Sequence, residues 1–489
     1  MLAATGALVG WTLLLPIQGG RQQAVAAARQ STTLVMPIPT AYSTQYASVN
    51  EALTQFDTML SAQTAPQTNA PLFGAELSMA DGQRGTALLQ QYAIVSVQQQ
   101  LDRFKTLGVQ GVTIDIPYPL FMPWYANSAQ YLSYYKSVAQ ETANRGMRLT
   151  VELGLRFPGS GITSFTYPAY CSFERDYQQM AQSIIDNISP YYMTIVFEPS
   201  TMFQLTTYQQ LDPANGVQGL LNLTNYMLGN AVDSNCPGNA VTLLNKRTTR
   251  IGAGQGNWDS PDYAKGYAQM AHLDTIDIHV YPVISSTMHP FMNNILTVAS
   301  YARQAGKRLS MTEAWSNKEQ ESELVLNALV SPMLIFSRNT FSFWQPTDQA
   351  FLSSMVHFAS TNPVDYISPF WTLYFEGYVD YTPGVYDENS SVTKLMITEE
   401  NIQVSNMTAN GPYTALGTSY QKIIATSVAS SGFVGLPTAT ATMTATPLPT
   451  RTPWPTVTPW PTRTPLPTRT PWPTVTPWPT RTPLPTRTP

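Results

Sequence analysis

Eight short runs of apolar and β-branched residues recur between about residues 71 and 430, each separated from the next by a longer stretch with helical spacing. The runs are LFGAELS (72–78), GVTIDIPY (111–118), RLTVELGL (148–155), MTIVFEPS (193–200), RIGAGQG (250–256), TIDIHVYP (275–282), RLSMTEAW (308–315) and FSFWQP (341–346). Between them, VQQQLDRFKTLG (97–108), AQYLSYYKSVAQETANRG (129–146), ERDYQQMAQSIIDNI (174–188) and MNNILTVASYARQAGK (292–307) repeat apolar residues every three or four positions, and several stop at glycine. Strand–helix alternation of this count predicts an α/β fold, a (β/α)8 barrel, over residues 71–430. An open doubly wound sheet has less support, because no glycine-rich phosphate loop follows the first run.

The flanks read differently. Residues 2–17 form an apolar run of signal-peptide or single-anchor length, with Ala24-Val25-Ala26 as a small-residue cleavage site, so 1–28 is expected to be a signal peptide or membrane anchor. Residues 29–70, rich in Thr, Ser, Gln and Ala, read as a linker or cap. From Pro447 the unit PLPTRTPWPTVTPWPTRT repeats at 18 residues. Proline at nearly alternate positions removes backbone donors, and nothing there can bury a core. Residues 431–489 are therefore expected to be a disordered, extended Pro/Thr-rich stalk.

Charge narrows the function classes. Only 11% of residues are charged, and the net charge is −4. Five of the 26 basic residues (Arg451, Arg463, Arg469, Arg481 and Arg487) lie in the tail, which has no acidic residue, so the body is more acidic than the total implies. A nucleic-acid partner would require a basic patch, and none is present. The polar, weakly charged composition suits an extracellular or cell-surface protein that meets neutral polymers. Cys171 and Cys236 are either one disulfide or two free thiols. No Cys or His spacing forms a metal motif, so neither a metal nor another cofactor is expected.

In a (β/α)8 barrel the chemistry sits where the strands end at their C-terminal face. Reading those ends in order gives Glu76, Asp115, Glu152, Glu198, Asn257-Trp258, His279 and Tyr281, Glu313-Ala314-Trp315, and Trp344-Gln345. One face thus collects carboxylates and aromatic rings. Glycosidic bond cleavage requires one carboxyl to protonate the leaving oxygen and a second to attack the anomeric carbon. Aromatic faces stack on sugar rings. Glu198 and Glu313, on strands that face each other across the barrel, are the candidate acid/base and nucleophile. Their expected resting states are protonated for Glu198 and ionised for Glu313.

GKRLSMTEAWS, HVYP, FSFWQP and TALGTSYQKIIA (414–425) resemble the strand-7, strand-6, strand-8 and last-helix segments of glycoside hydrolase clan A, the cellulase-, mannanase- and galactanase-type retaining enzymes. The resemblance covers residues 71–430. It implies a carbohydrate partner and a retaining two-glutamate mechanism on a β-linked glycan. It also implies that Tyr281 bonds the nucleophile, His279 faces the sugar and Trp344 floors the central subsite. Trp315, Trp258, Asn257, Glu76 and Asp115 complete the expected substrate contacts. Two departures stand out: Phe197 precedes Glu198 where the clan has Asn, and the arginine usual near the end of strand 2 has no counterpart in TIDIPYP. They favour an alternative, a non-catalytic carbohydrate-binding or adhesive barrel. In either case the chain is expected to be attached to the cell envelope through its tail or N-terminal segment.

Overall fold

The structure is a computed structural model that describes residues 37–62, 70–281, 288–318 and 338–430. The expected signal or anchor segment and the Pro/Thr stalk lie outside the described residues.

Eight parallel strands form one sheet: β1 Leu72–Phe73, β2 Gly111–Asp115, β3 Arg148–Glu152, β4 Tyr192–Thr194, β5 Arg250–Gly256, β6 Thr275–Val280, β7 Arg308–Ala314 and β8 Val364–Pro369. Pairing runs in chain order from β2 to β8, and β8 pairs with β1. Gln110 N donates to Phe73 O at 2.8 Å, Thr113 N to Ala75 O at 3.0 Å and Leu77 N to Thr113 O at 2.8 Å, which closes the barrel between β1 and β2. The period of two along each strand sorts the side chains. On β6, Ile276, Ile278 and Val280 alternate with Asp277 and His279, whose polar atoms reach Thr194 on β4 and Thr312 on β7 across the lumen. The apolar set packs outward into a continuous core with the surrounding helices.

The helical spacings appear as Ala93–Leu107, Ser128–Asn144, Tyr170–Ile188, Met288–Gln304 and Ala415–Ser430. Gly108 takes φ +84° to end the first of these, a conformation glycine adopts without steric cost.

Two expectations need correcting. First, within the 29–70 linker or cap, Ser43–Ser61 is a 19-residue helix. Val49, Leu53, Phe56 and Leu60 form a buried stripe at three- and four-residue spacing, and Phe56 packs its ring against Phe358 at 6.4 Å. Second, FSFWQP is not strand 8. Ser342–Trp344 is a 3-10 turn that leads into the helix Gln345–Thr361, with Pro346 in its first turn, where proline's missing N–H is harmless. The true β8 follows that helix as VDYISP and leads into Phe370-Trp371.

Candidate active site

The short β4 stops at Thr194, and the chain continues extended to Glu198, the residue that caps the N-terminus of the helix Pro199–Thr206. The Glu198 side chain makes no capping bond and is free to turn into the barrel mouth. From β7, Glu313 arrives through an irregularity. Asp277 pairs with Ser310 but His279 pairs with Glu313, so β7 has one more residue than β6 over this interval. A bulge of this kind re-aims side chains. Here it lets both Thr312 and Glu313 reach the same imidazole.

His279 is that common point. Its Nδ1 lies 2.9 Å from Glu198 Oε1 and 3.5 Å from Glu313 Oε2. The two carboxylate oxygens are therefore no further apart than those distances together. On the other side, Nε2 lies 3.1 Å from Thr312 Oγ1 and 3.5 Å from both Glu152 Oε1 and Asp277 Oδ2. Thr312 donates its one hydroxyl proton to Asp277 Oδ2 at 2.6 Å, so it accepts from His279 and Nε2 carries a hydrogen. Asp277 also accepts from Thr194 Oγ1 at 2.9 Å and Ser310 Oγ at 3.0 Å, and it forms the floor that fixes the ring. Tyr281 donates its hydroxyl to Glu313 Oε2 at 2.6 Å. Asn257 accepts from the Tyr281 backbone N–H at 3.1 Å and holds that tyrosine in place. Glu313, with 14% of its side chain exposed, is more open than Glu152, Glu198, Asp277 and His279, which are 6% exposed or less.

One imidazole thus faces Glu152, Glu198, Asp277 and Glu313. Burial alone would lower the His279 pKa, but the Glu313 and Glu152 charges and hydrogen bonds to Asp277 and Glu152 hold it well above the usual range. These partners favour the protonated ring, with Nδ1 facing Glu198. Burial would raise Asp277, but the bond and charge of His279 and the Thr312 and Thr194 donors hold it below the ordinary value. Glu313 is pushed well above the carboxylate range, first by burial and then by Glu152, against the pull of His279. These surroundings oppose ionisation of Glu313, whereas the sequence reading expects it ionised at rest. Glu152, which the sequence marks only as a strand-end carboxylate without a role, adds a second negative charge.

The other expected contacts are distributed differently. His279 is fully buried beneath the carboxylates with both nitrogens engaged, so it organises them and does not face the sugar. Trp344 is fully buried in a separate cluster with Tyr42, Phe341 and Phe343, and the Lys318 ammonium lies between it and Trp315, 5.8 Å from the Trp344 ring and 5.3 Å from the Trp315 ring. Trp315 is buried and stacks on Tyr374 at 5.2 Å. Asn257 is buried and acts through Tyr281. Trp258 is half-buried, 6.1 Å from the Tyr281 ring. Asp115 accepts from Gln83 Nε2 at 2.7 Å and forms an acidic group with Asp81 and Glu76 on the β1–β2 side. Burial, then Asp81, raises both Glu76 and Asp115 well above the usual range. Phe370 meets Tyr281 edge-on at 5.8 Å, and Trp371, half-buried after β8, takes the strand-end position expected of Trp344.

Asp277 lies two residues before His279 and so shares its face of β6, and Glu152 is the last residue of β3; both positions follow from strand periodicity. Glu152, His279 and Glu313 each bring one potential ligand atom within 4.8 Å of the others. The imidazole, however, carries hydrogen on Nε2 and binds Glu198 through Nδ1, so it offers no free lone pair to an ion. Cys171 and Cys236 are joined in a disulfide with Cα atoms 5.4 Å apart.

The chain matches no protein-family model and no curated protein. Among solved structures it is similar to virulence factor SghA from Agrobacterium tumefaciens, at 10% identity over 75% of this chain and 99% of that one, with a TM-score of 0.43. It is also similar to a GH5_18 protein from Bifidobacterium longum in complex with Manb1-4GlcNAc, at 12% identity over 73% and 78%, TM-score 0.43. A third is a GH113 beta-1,4-mannanase, at 10% identity over 75% and 100%, TM-score 0.41.

Proposed function

We propose that this chain is a glycoside hydrolase that cleaves β-linked glycans with retention of configuration. The observation that carries the reading is the convergence of Glu198, from the end of β4, and Glu313, from the end of β7, on one imidazole, with the Tyr281 hydroxyl on Glu313. An oxygen separation bounded by the two distances to His279 Nδ1 leaves room for the closer of the two glycosidase spacings, which is the one a retaining enzyme uses. Glu313, once ionised, attacks the anomeric carbon and forms a glycosyl-enzyme. Tyr281 and His279 stabilise its charge before attack. Glu198 donates a proton to the departing oxygen and later removes one from the water that releases the sugar. His279 Nδ1 lies 2.9 Å from Glu198 Oε1, close enough for a proton to pass between them. The strand-4 and strand-7 placement supports membership in glycoside hydrolase clan A as a divergent branch.

We further propose export and retention at the cell surface, in keeping with the Cys171–Cys236 disulfide, the sparse charge and the Pro/Thr repeats. A second reading, a carbohydrate-binding barrel without turnover, is favoured by Phe197. Its buried ring lies against His279 at 6.3 Å, where clan A has a sugar-binding amide.

The deciding experiment is release of reducing ends from β-1,4-linked gluco- and manno-oligosaccharides, with the product anomer followed by NMR. The retaining reading expects a β product at first, and Glu313→Gln should abolish release in a folded protein. An α product, or full activity in that variant, would refute the assignment. Binding without release would favour the second reading.

A further inference from the structure

Three consecutive strands each bring a carboxyl to one patch of the barrel lumen: Glu76 just past β1, Asp115 on β2 and Glu152 on β3. Register puts them together. Asp115 pairs with Glu152, and Glu76 bridges to Thr113, two residues before Asp115 and so on the same face. Phe73 packs outward against Tyr420 of the helix Ala415–Ser430, at 6.3 Å, so the period of two turns Gly74 and Glu76 inward. A Cβ on Gly154, two residues past Glu152, would lie 2.0 Å from Asp115 Oδ1, so the Asp115 carboxyl leans over β3. Such a patch is costly. Carboxylates are almost never fully buried unless paired, and like charges on neighbouring strands repel. Among the described residues, no lysine or arginine forms an ion pair with Glu76, Asp115 or Glu152. Gln83 Nε2 donates to Asp115 Oδ2 at 2.7 Å, but Oδ1 receives no hydrogen bond. Glu76 is 4% exposed, and neither of its oxygens receives one. The Trp371 and Thr372 backbone N–H groups lie near enough to ease its ionisation but outside bonding geometry. Asp81 adds a further carboxyl that opposes the charge on both Glu76 and Asp115, and the Arg84 guanidinium acts on Asp81.

These carboxyls suit a cationic partner, and their spacing says which kind. Among the described residues, Glu76 and Asp115 join no trio of ligand atoms within 4.8 Å of one another, so the patch does not converge on a point as a metal ion requires. An ammonium carried on a sugar ring is different: it offers three donors and no acceptor, and the ring spans carboxyls that stand apart. The patch also borders the reacting groups. Glu152 lies 3.5 Å from His279 Nε2. Burial, then Glu313, raises the Tyr281 hydroxyl, and Glu198 and Glu76 add to it. We infer that the patch formed by Glu76, Asp115 and Glu152 binds the ammonium of an amino sugar, so that the preferred substrate is a β-linked glycan with free amino groups, such as β-1,4-linked glucosamine. The choice of a glycan rests on the hydrolase reading; the choice of a cation does not. The sparse charge of the whole chain suits neutral polymers, but the lumen carries a concentration of carboxyls that the overall composition hides.

The test uses the full chain carrying Glu313→Gln, with calorimetric binding of three β-1,4-linked tetramers: glucosamine at a pH where its amines are charged, N-acetylglucosamine, and glucose. The glucosamine tetramer should bind at least about tenfold tighter than either neutral one, the worth of a hydrogen bond to a charged group. Adding Glu76→Gln should cut that preference by at least about tenfold in a chain whose circular dichroism is unchanged. Asp115→Asn, made separately, should cut it in the same direction. Equal or tighter binding of a neutral tetramer, or a preference that survives both variants, would overturn the cation site. In the parent chain kcat/KM should follow the same order of substrates. If the preference is present and lost with Glu76→Gln, yet the parent chain releases no reducing ends from any tetramer, the hydrolase reading fails and the cation site stands. If the parent chain hydrolyses the neutral tetramers as well as the glucosamine one and binds them equally, the hydrolase reading stands and the cation site fails.

Discussion

Glu152 is the residue whose replacement tests the electrostatic account most sharply. Its Oε1 lies 3.5 Å from His279 Nε2, and the nearest potential ligand atoms of Glu152, His279 and Glu313 all fall within 4.8 Å of one another. Two unit charges at that separation in a medium of effective dielectric near 20 interact by roughly 3 kcal/mol, or about two pH units. Glu152→Gln removes the negative charge and keeps the shape. Glu313 must lose its proton to attack, and Glu152 makes that loss harder; without it Glu313 ionises at lower pH. His279, which stabilises Glu313 and lies within proton-transfer distance of Glu198, keeps its proton with the help of Glu152; without that charge the ring loses it at lower pH too. Both limbs of the bell-shaped kcat/KM profile should therefore move toward acid, each by about one to two units.

The assay is kcat/KM on the best oligosaccharide across the pH range in which the chain stays folded, for both proteins. The limbs belong to the coupled group as a whole, so the expected result is displacement of the entire curve, with no assignment of either limb to a single residue. An acid limb that stays in place, or moves upward, would refute the idea that Glu152 governs Glu313. Loss of activity at every pH, with folding retained, would instead place Glu152 in direct contact with substrate.

Tyr281→Phe should shift the acid limb the other way. Glu313 would lose a donor to its charged form worth about 1.5–3 kcal/mol, so kcat/KM should fall by about 10- to 100-fold; an unchanged limb would separate Tyr281 from Glu313 ionisation. Glu198→Ala should lower oligosaccharide turnover by about 100- to 10,000-fold while sparing substrates whose leaving groups need no proton, and added azide should yield a β-glycosyl azide. An α-azide would invert the roles given to the two glutamates. Paired Cys171→Ser and Cys236→Ser replacement opens a loop with a sequence separation of 65 residues. It should reduce unfolding free energy by up to ~4 kcal/mol in the chain-entropy account, read as an earlier denaturant midpoint.

How far the sequence led can be argued from two strands. β7 was legible because its alternation is intact: Leu309, Met311 and the polar residues between them obey a period of two, and Glu313 falls where the run ends. β8 was not. VDYISP has an aspartate near its start and a proline at its end, and a run with those marks reads as a loop. FSFWQP has the aromatic density of a strand but carries Pro346, which begins a helix. Aromatic content was therefore assigned to the wrong segment, and Trp344 took the part that position gives to Trp371. The site shows the same division. Glu198, Glu313 and Tyr281 announce themselves as polar groups at the ends of apolar runs. The bulge that brings Thr312 and Glu313 to one imidazole leaves no mark in local composition, since it arises from the unequal pairing of β6 and β7. That pairing turns His279 from an expected sugar contact into a buried cation, and it is what makes Glu152 matter. No arginine follows strand 2 in TIDIPYP, and the basic side chain among these carboxylates is the titratable His279 of strand 6. If Glu313 is the nucleophile as proposed, activity should fall as pH rises through the raised titration range of His279, a limit that an always-charged guanidinium would not impose.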